Sequence, residues 1–482
     1  MPSRRTLALW MFVICAAAYA QTAGFEDDLR QRRAHLMERL DPDAMVILFS
    51  APTRTYSRDI DYRYRQDSNL YYLTGMDQDE TTLVLLRGNE AHGEILFTKA
   101  RNPAREHWHG KILSREEAAS LSGIPTVYAA SEFEPFLNAA LSGRCYEGLS
   151  DEFQPFFRAF KGGKARVFLL LDPKAGYSDP GHPAQVLSRR IKEQFPSVKV
   201  EDATDLLRDL RQVKTRYEQE VLRESLRIAC DAQLAGMKSA RPGLYEYEVA
   251  AAIERVFMSR GAEGWAYPTI VGSGPNATIL HYSRCTRRME NGDLLLVDAG
   301  ADYRYLAGDI TRTYPVGGTF SPLQKDIYKI VLEAHEAGIK AATPGSRLTD
   351  VHARVADVIK DGLYTLGLIT DKSGDQYRAW FTHGSCHFIG IDVHDVGDDR
   401  HPLAPGMAFT IEPGIYIRLE ALESLAQAQN SEAIVARIRP AFEKYRGMGV
   451  RIEDSFLMTE SGLECLSEGV PRTIEGIEAL LQ

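Results

Sequence analysis

The chain has 482 residues, enough for two or three domains, and its composition, 44% hydrophobic and 26% charged, is that of an ordinary globular protein. A formal net charge of −9, with no Lys/Arg cluster beyond scattered pairs, argues against a nucleic-acid binder, which needs a basic footprint to hold phosphates. The chain opens on Arg4-Arg5, the apolar run "LALWMFVICAAA" and Ala18-Tyr19-Ala20. A short positive region, an apolar stretch too short for an ordinary membrane span and an A-x-A site read together as a secretory signal over residues 1–20. Cleavage after Ala20 and export to a bacterial periplasm or to the medium are expected. "SRRTL" partly resembles a twin-arginine signal, and Cys15 follows Ile14, a poor fit to lipoprotein processing. Past the signal stand Cys145, Cys230, Cys285, Cys386 and Cys465, an odd set with no C-x-x-C pair, so core thiols are expected and not a disulfide framework or a zinc ribbon.

From about residue 25 to 205, short β-type runs ("AMVILFS", "TTLVLLRG", "GEILFTKA", "ARVFLLLD") alternate with polar, helix-compatible stretches, which predicts an α/β domain over residues 21–210. Near Lys214 the texture changes to the long helical pattern "TRYEQEVLRESLRIACDAQLAGMKSA", and a second domain over 211–482 is expected. This second part carries a weak internal repeat. Arg241-Pro242-Gly243 precedes Glu248-Val249-Ala250 in a helix-like segment, as Thr343-Pro344-Gly345 precedes Asp350-Val351-His352. Two similar halves are implied, although Pro-Gly before a helix is also common punctuation. Further on, "RLEALESLAQAQNSEAIVARIRPAFEKY" reads as an inserted helical hairpin.

"NGDLLLVDAGADYRYLAGDITRTYP" places Asp298 at the end of an apolar run that should be a buried strand, where an Asp is costly unless paired or bound to a metal. Asp309 begins a second strand-like run, "DITRTY". If the chain reverses near Tyr303 and Arg304, the two aspartates face each other across the pair and need a cation or a proton between them. "MAFTIEPG" and "GVRIEDSF" deliver Glu412 and Glu453 from strands into turns in the same way. Each alone would more often be a capped turn or a salt bridge. With one histidine, the four carboxylates suit two divalent ions sharing ligands, and oxygen-rich ligation favours manganese, cobalt or Fe(II), or a zinc pair, over a lone structural zinc.

The histidine is sought in "HGSCHFIGIDVHD", residues 383–395, which holds three of the chain's twelve histidines with Asp392 and Asp395. A His pair four apart would suit zinc on a helix. Gly384 and Gly390 interrupt the segment, however, and "FIGIDVHD" alternates with the period of a strand, so two ligating histidines do not follow from spacing.

Taken in order, "TIVGSGPNATILHYS", "DAGADYRYLAGDITRTYP", "HGSCHFIGIDVHDVG", "IEPGIY" and "RGMGVRIED" resemble the aminopeptidase P and prolidase branch of the pita-bread metallopeptidases. The resemblance is close over about residues 210–475 and looser over the N-terminal part, through "YRYRQDSNLYYLTG". It implies an N-terminal creatinase-like α/β domain followed by a C-terminal pita-bread domain (α+β) with pseudo-twofold halves. The metal ligands it implies are Asp298, Asp309, His387, Glu412 and Glu453, so that only His387 of the histidine segment holds metal. It sets His281, His383 and His394 on the substrate side, has Tyr416 and Arg451 line a proline pocket with His383, and brings Trp108 of "REHWHG" from a neighbouring subunit of a homodimer or homotetramer. His335, His352 and His401 match no catalytic motif and are expected at the surface or in packing.

The implied reaction is release of the first residue from Xaa-Pro peptides by a hydroxide bridging two divalent ions, with manganese expected first and cobalt, iron or zinc as alternatives. Glu412 is the candidate general base, and His281 and His394 the donors to the oxyanion. An Xaa-Pro bond has no N–H, so its pocket needs shape and apolar walls. Two departures bear on peptide length. Only Asp398 to Ala404 separate "VHDVG" from "PGM", where prolidases usually carry a longer segment with a basic carboxylate anchor, which favours an aminopeptidase, although Arg400 could serve as that anchor. The long stretch from Glu412 to Glu453 is nearer to prolidase length, which keeps an Xaa-Pro dipeptidase as the alternative. A metal-free binding module of the same fold would replace some of the five ligands, and this chain keeps them all.

Overall fold

The computed structural model describes residues 24–87, 93–144, 146, 154–427 and 431–482. The expected signal segment and Cys145 lie outside these described residues. The chain divides into two units, one ending at Arg211 and the other beginning at Gln212.

In the first unit the apolar runs become a six-stranded mixed sheet. Its order is Thr126–Ala129, Glu94–Thr98, Thr82–Leu86, Ala44–Phe49, Arg166–Leu169 and Lys199–Asp202. Ala44–Phe49 sits at the centre, antiparallel to Thr82–Leu86 and parallel to Arg166–Leu169. Such a strand is covered on both faces, which is why "AMVILF" reads as a continuous apolar run. Helices Phe133–Ala140 and Pro183–Gln194 supply Phe136, Leu187 and Ile191 to the core against Ile47, Val84 and Phe97. In "YRYRQDSNLYYLTG", Asp67 caps helix Ser68–Thr74 by accepting from the amides of Asn69 and Leu70. Helix Pro103–His109 buries none of its residues and carries Trp108.

The second unit is built from two like halves. Helix Arg216–Ser239 is followed by Glu246–Ser259, and helix Pro322–Ala341 by Leu348–Leu366. The Pro-Gly turns hold Gly243 and Gly345 at φ +90 and +86, a left-handed conformation that favours glycine. At one constant sequence offset, Gly236 and Gly338 let the paired helices cross closely. A Cβ on either would lie 2.9 Å from Ile253 or Val355 of the partner helix. The repeat seen in the sequence is thus a repeat of helix, turn and helix.

Each half adds an antiparallel three-stranded sheet. One is Ile270–Ser273, Leu294–Asp298 and Thr311–Pro315, and the other Ala408–Ile411, Asp454–Thr459 and Gly462–Cys465. A bridge between Thr311 and Glu453 joins them, and Gly414–Tyr416 pairs with Gly449–Arg451 alongside. Helix Arg216–Ser239 supports the first sheet through Gln233, whose Nε2 donates to the carbonyl of Ile310 at 2.7 Å. It also holds the neighbouring strand pair Ala301–Tyr303 and Leu306–Ala307, which lies between Asp298 and Asp309 in the chain, through Ser225 Oγ, 2.9 Å from the carbonyls of Ala301 and Leu306. The inserted segment forms helices Leu419–Gln427 and Ser431–Tyr445.

One sequence expectation fails here. The alternation in "FIGIDVHD" predicts a strand, but the segment is an irregular loop with an isolated bridge from Phe388 to Phe409. Gly390 lets the backbone fold against Asp395, since a Cβ there would lie 2.0 Å from Asp395 Oδ2, and the Asp395 amide donates back to the carbonyl of Phe388 at 2.8 Å. Phe388, Ile389 and Ile391 are buried by this curled loop and not by a pleated ladder.

Candidate metal centre

Asp298 is the last residue of strand Leu294–Asp298, and the chain returns through Arg304 and Tyr305, both at positive φ (50 and 65). The register puts Thr311, not Asp309, opposite Asp298. Direct facing of the two aspartates is therefore corrected: Asp309 lies just beyond the ladder, where Gly308 passes tightly under Gly300. The two carboxylates converge instead on the hydroxyl of Tyr267, which is 2.5 Å from Oδ1 of each. Tyr267 was not singled out in the sequence. It precedes strand Ile270–Ser273, whose Ile270 is paired with Asp298.

His387 presents one nitrogen to the carboxylates. Its Nδ1 lies 3.0 Å from the carbonyl oxygen of Phe388, which fixes the proton there and leaves Nε2 as the free donor atom. Nε2 is 3.4 Å from Asp309 Oδ2, 3.5 Å from Glu412 Oε1 and 3.7 Å from Glu453 Oε1. One ligand atom each from Asp309, His387 and Glu453 lies within 4.8 Å of the others. Glu412 follows strand Ala408–Ile411 and is pinned by its amide, which donates to the carbonyl of Ser385 at 2.8 Å. Glu453 accepts from Thr311 Oγ1 at 2.7 Å. Arg451 closes the far side with an ion pair to Asp298 at 2.5 Å, and its Nε donates to Thr311 Oγ1 at 3.0 Å.

Without a cation this cluster has to hold protons. Burial, then repulsion from Glu453, pushes the Asp309 carboxyl up to about 8. Burial and Glu453 likewise raise Glu412 well above its ordinary value, and burial raises Asp298 in spite of Arg451. Burial disfavours charge on His387, yet its hydrogen bonds to Asp309 and Glu453 outweigh that and raise it well above an ordinary imidazole. Burial also works to raise Glu453, but the bond and charge of His387 leave it lowered. Three buried carboxylates, the half-buried Glu412 and one oriented imidazole are a donor set that divalent ions would satisfy by displacing those protons.

A cavity of about 560 Å³ opens over the cluster. Asp298, Asp309, His387, Glu412, Glu453 and Arg451 line its floor. His281, His383 and His394 line its sides beside the apolar Ile270, Leu280 and Val393. Tyr416 stands behind this wall, with its hydroxyl 2.8 Å from His383 Nε2 and accepting from Arg451 Nη1 at 2.8 Å. Because Arg451 donates to that oxygen, the hydroxyl donates onward to Nε2, and His383 keeps its own proton on Nδ1, 2.6 Å from the carbonyl of Gly384. Burial and the Arg451 charge accordingly push His383 down to about 4, a neutral ring. The His394 ring sits 4.4 Å from that of His387. Cys386 also lines the cavity, its thiol pushed up by burial and so protonated.

Trp108 belongs to the first unit and is 81% exposed. His335 is fully buried against Asp454, His352 packs on Phe381, and His401 is exposed. Cys230, Cys285, Cys386 and Cys465 are free thiols.

Residues 220–460 match Metallopeptidase family M24, and residues 29–146 match the aminopeptidase P N-terminal domain. The Xaa-Pro aminopeptidase of Escherichia coli is 33% identical over 464 residues, covering 94% of this chain and 97% of its own length. That of Haemophilus influenzae is 31% identical over 465 residues, covering 95% and 97%. Among solved structures, a Pseudomonas aeruginosa aminopeptidase superposes with a TM-score of 0.79 at 34% identity, and zinc-substituted E. coli aminopeptidase P in complex with product with 0.78 at 34%. Each covers 95% of this chain and 98% of the other.

Proposed function

The chain belongs to metallopeptidase family M24, and from that premise we propose that it is an Xaa-Pro aminopeptidase, releasing the first residue from peptides with proline second. It is a metal-dependent exopeptidase. The observation that carries the finer reading is the meeting, in one cavity, of four carboxylates and Nε2 of His387 with an apolar wall beside His383. The dipeptidase alternative is not favoured, since the Xaa-Pro aminopeptidases align over nearly their whole lengths. The binding-module alternative is opposed by the convergence of all five candidate ligands.

Asp298, Asp309, His387, Glu412 and Glu453 would hold two divalent ions, manganese first among the candidates, which when bound supply Lewis acidity and an activated water. The remaining work falls to the chain. Glu412 would take a proton on its carboxylate and pass it to the departing proline nitrogen. His281 and His394 would donate to the substrate carbonyl oxygen as it becomes an oxyanion, worth about 3 kcal/mol per donor. A neutral His383, backed by Tyr416 and Arg451, would close one side of the proline ring's pocket, with Ile270, Leu280 and Val393 as walls that ask for no N–H. The exposed Trp108 is available to a neighbouring copy's cavity in a homodimer or homotetramer, and the signal segment supports export.

The test uses the mature protein, residues 21–482, stripped of metal and reloaded with manganese. Release of the first residue is followed from an Xaa-Pro dipeptide and an Xaa-Pro-Yaa peptide side by side. Cleavage of the longer peptide that vanishes in Asp309→Asn is expected. Cleavage of the dipeptide alone would make the enzyme a dipeptidase, and cleavage of neither would return the binding module.

A further inference from the structure

His394 stands on a stretch, residues 390–397, with neither helix nor strand to hold it, and its ring faces the cavity. The next residue is turned the other way. The carboxylate of Asp395 lies 2.7 Å from Lys214 Nζ, and both side chains are 1% exposed. Gly390 makes room for the pair, because a Cβ at that position would lie 2.0 Å from Asp395 Oδ2 and 2.7 Å from Lys214 Nζ. The carbonyl of Gly390 in turn accepts from the amide of Ala307 at 2.8 Å, tying the loop to the approach to Asp309.

Lys214 is itself well anchored. Its amide donates to Gly406 at 2.8 Å, and its carbonyl accepts from Gln219 Nε2 at 2.9 Å. Thr215, next in the chain, caps helix Arg216–Ser239, the helix whose Ser225 and Gln233 support the sheet segment around Asp298 and Asp309. One buried charge pair therefore connects the helix under the metal centre with the loop that carries His394. A buried pair of this kind is weak as a source of stability, since an apolar pair of the same volume often does as well, but it is directional and fixes register.

We propose that Lys214 is a positioning residue for the reaction: through Asp395 it sets the place of the His394 imidazole at the substrate carbonyl. This rests on the reading of His394 as a donor to that oxygen. Lys214 does not line the cavity and touches no reacting atom.

The experiment is a double-mutant cycle on the manganese-loaded mature enzyme with an Xaa-Pro-Yaa peptide. Lys214→Met with Asp395→Leu removes both charges together, so that neither is left stranded. Expected are a fall in kcat of about ten- to a hundredfold, as for a misplaced catalytic group, a KM within about twofold, and unchanged manganese content. On a His394→Ala background the same replacement should lower kcat no further, a non-additivity that a merely structural role would not produce. Unchanged kcat in the paired variant, or a loss that multiplies in full with His394→Ala, overturns the proposal. Full activity of His394→Ala overturns it together with the reading of His394, and so separates the two failures. Should the paired variant not fold, Asp395→Asn, which keeps the side chain's shape, is carried through the same cycle under the same criteria.

Discussion

The hydroxyl of Tyr416 stands 2.8 Å from Nε2 of His383 and joins that ring, through Arg451, to the carboxylate of Asp298. Wall and floor of the cavity are thus held by one chain of hydrogen bonds. Tyr416→Phe leaves a buried guanidinium donor and a ring nitrogen without that partner, a loss of about 1–3 kcal/mol in unfolding free energy. KM for an Xaa-Pro peptide is expected to rise severalfold while metal content holds. Thermal unfolding, steady-state kinetics and metal analysis on one preparation decide it, and an unchanged KM would remove Tyr416 from the pocket's support.

Metal removal should give a pH dependence of stability with a definite sign. Asp309 is raised from 3.8 to about 8, so the folded, metal-free protein holds a proton there that the unfolded chain has released. The stability it contributes is present below about pH 4 and is lost as pH rises through about 8. Glu412 acts in the same sense, and Glu453, lowered by His387, in the opposite one. The chelator-treated protein is expected to melt at progressively lower temperature from pH 5 to pH 8.5, with manganese restoring the loss. Asp309→Asn should flatten this slope, bind less metal and lower kcat by more than about a hundredfold. A melting temperature that rises with pH in the metal-free wild type would contradict the assignment.

What was legible in the sequence follows a physical divide. Asp298, Glu412 and Glu453 stand at or just past an apolar run, and a carboxylate delivered by a buried strand is conspicuous because burial makes it costly. The Pro-Gly turns announced the two helix pairs because glycine at positive φ leaves a local mark. Tyr267 left no such mark. Its place beside Asp298 comes from the pairing of Ile270 with Asp298, a non-local register that one sequence does not encode in its spacing. The loop after His387 misled for the converse reason: the apolar alternation of Ile389, Ile391 and Val393 reads as one face of a ladder, whereas the curled loop buries residues 388–391 in succession and leaves Val393 half-buried.

Glu412→Gln separates proton transfer from binding. The amide keeps the side chain's shape and an oxygen toward His387 but cannot take a proton at that position. kcat is expected to fall about 10²- to 10⁴-fold, the range for loss of a general base, with KM changed far less. Metal content must be measured alongside, because loss of metal in proportion to activity would assign Glu412 to ligation alone.

Gly300 and Gly308 offer a test of how the two aspartates are brought together. A Cβ on Gly300 would lie 1.7 Å from the carbonyl oxygen of Gly308, a backbone atom that cannot swing aside. A Cβ on Gly308 would meet Ser225 Oγ at 3.3 Å and Ala229 Cβ at 3.5 Å, contacts that small shifts relieve. Gly300→Ala must therefore push apart the two backbone segments that carry Asp298 and Asp309, at a cost of about 1–3 kcal/mol or more. Gly300→Ala is expected to lower the melting temperature and the metal stoichiometry together, while Gly308→Ala lowers the first slightly and leaves the second near wild type. Equal metal loss in both variants would show that the close crossing at Gly300 is not what sets the distance between the carboxylates.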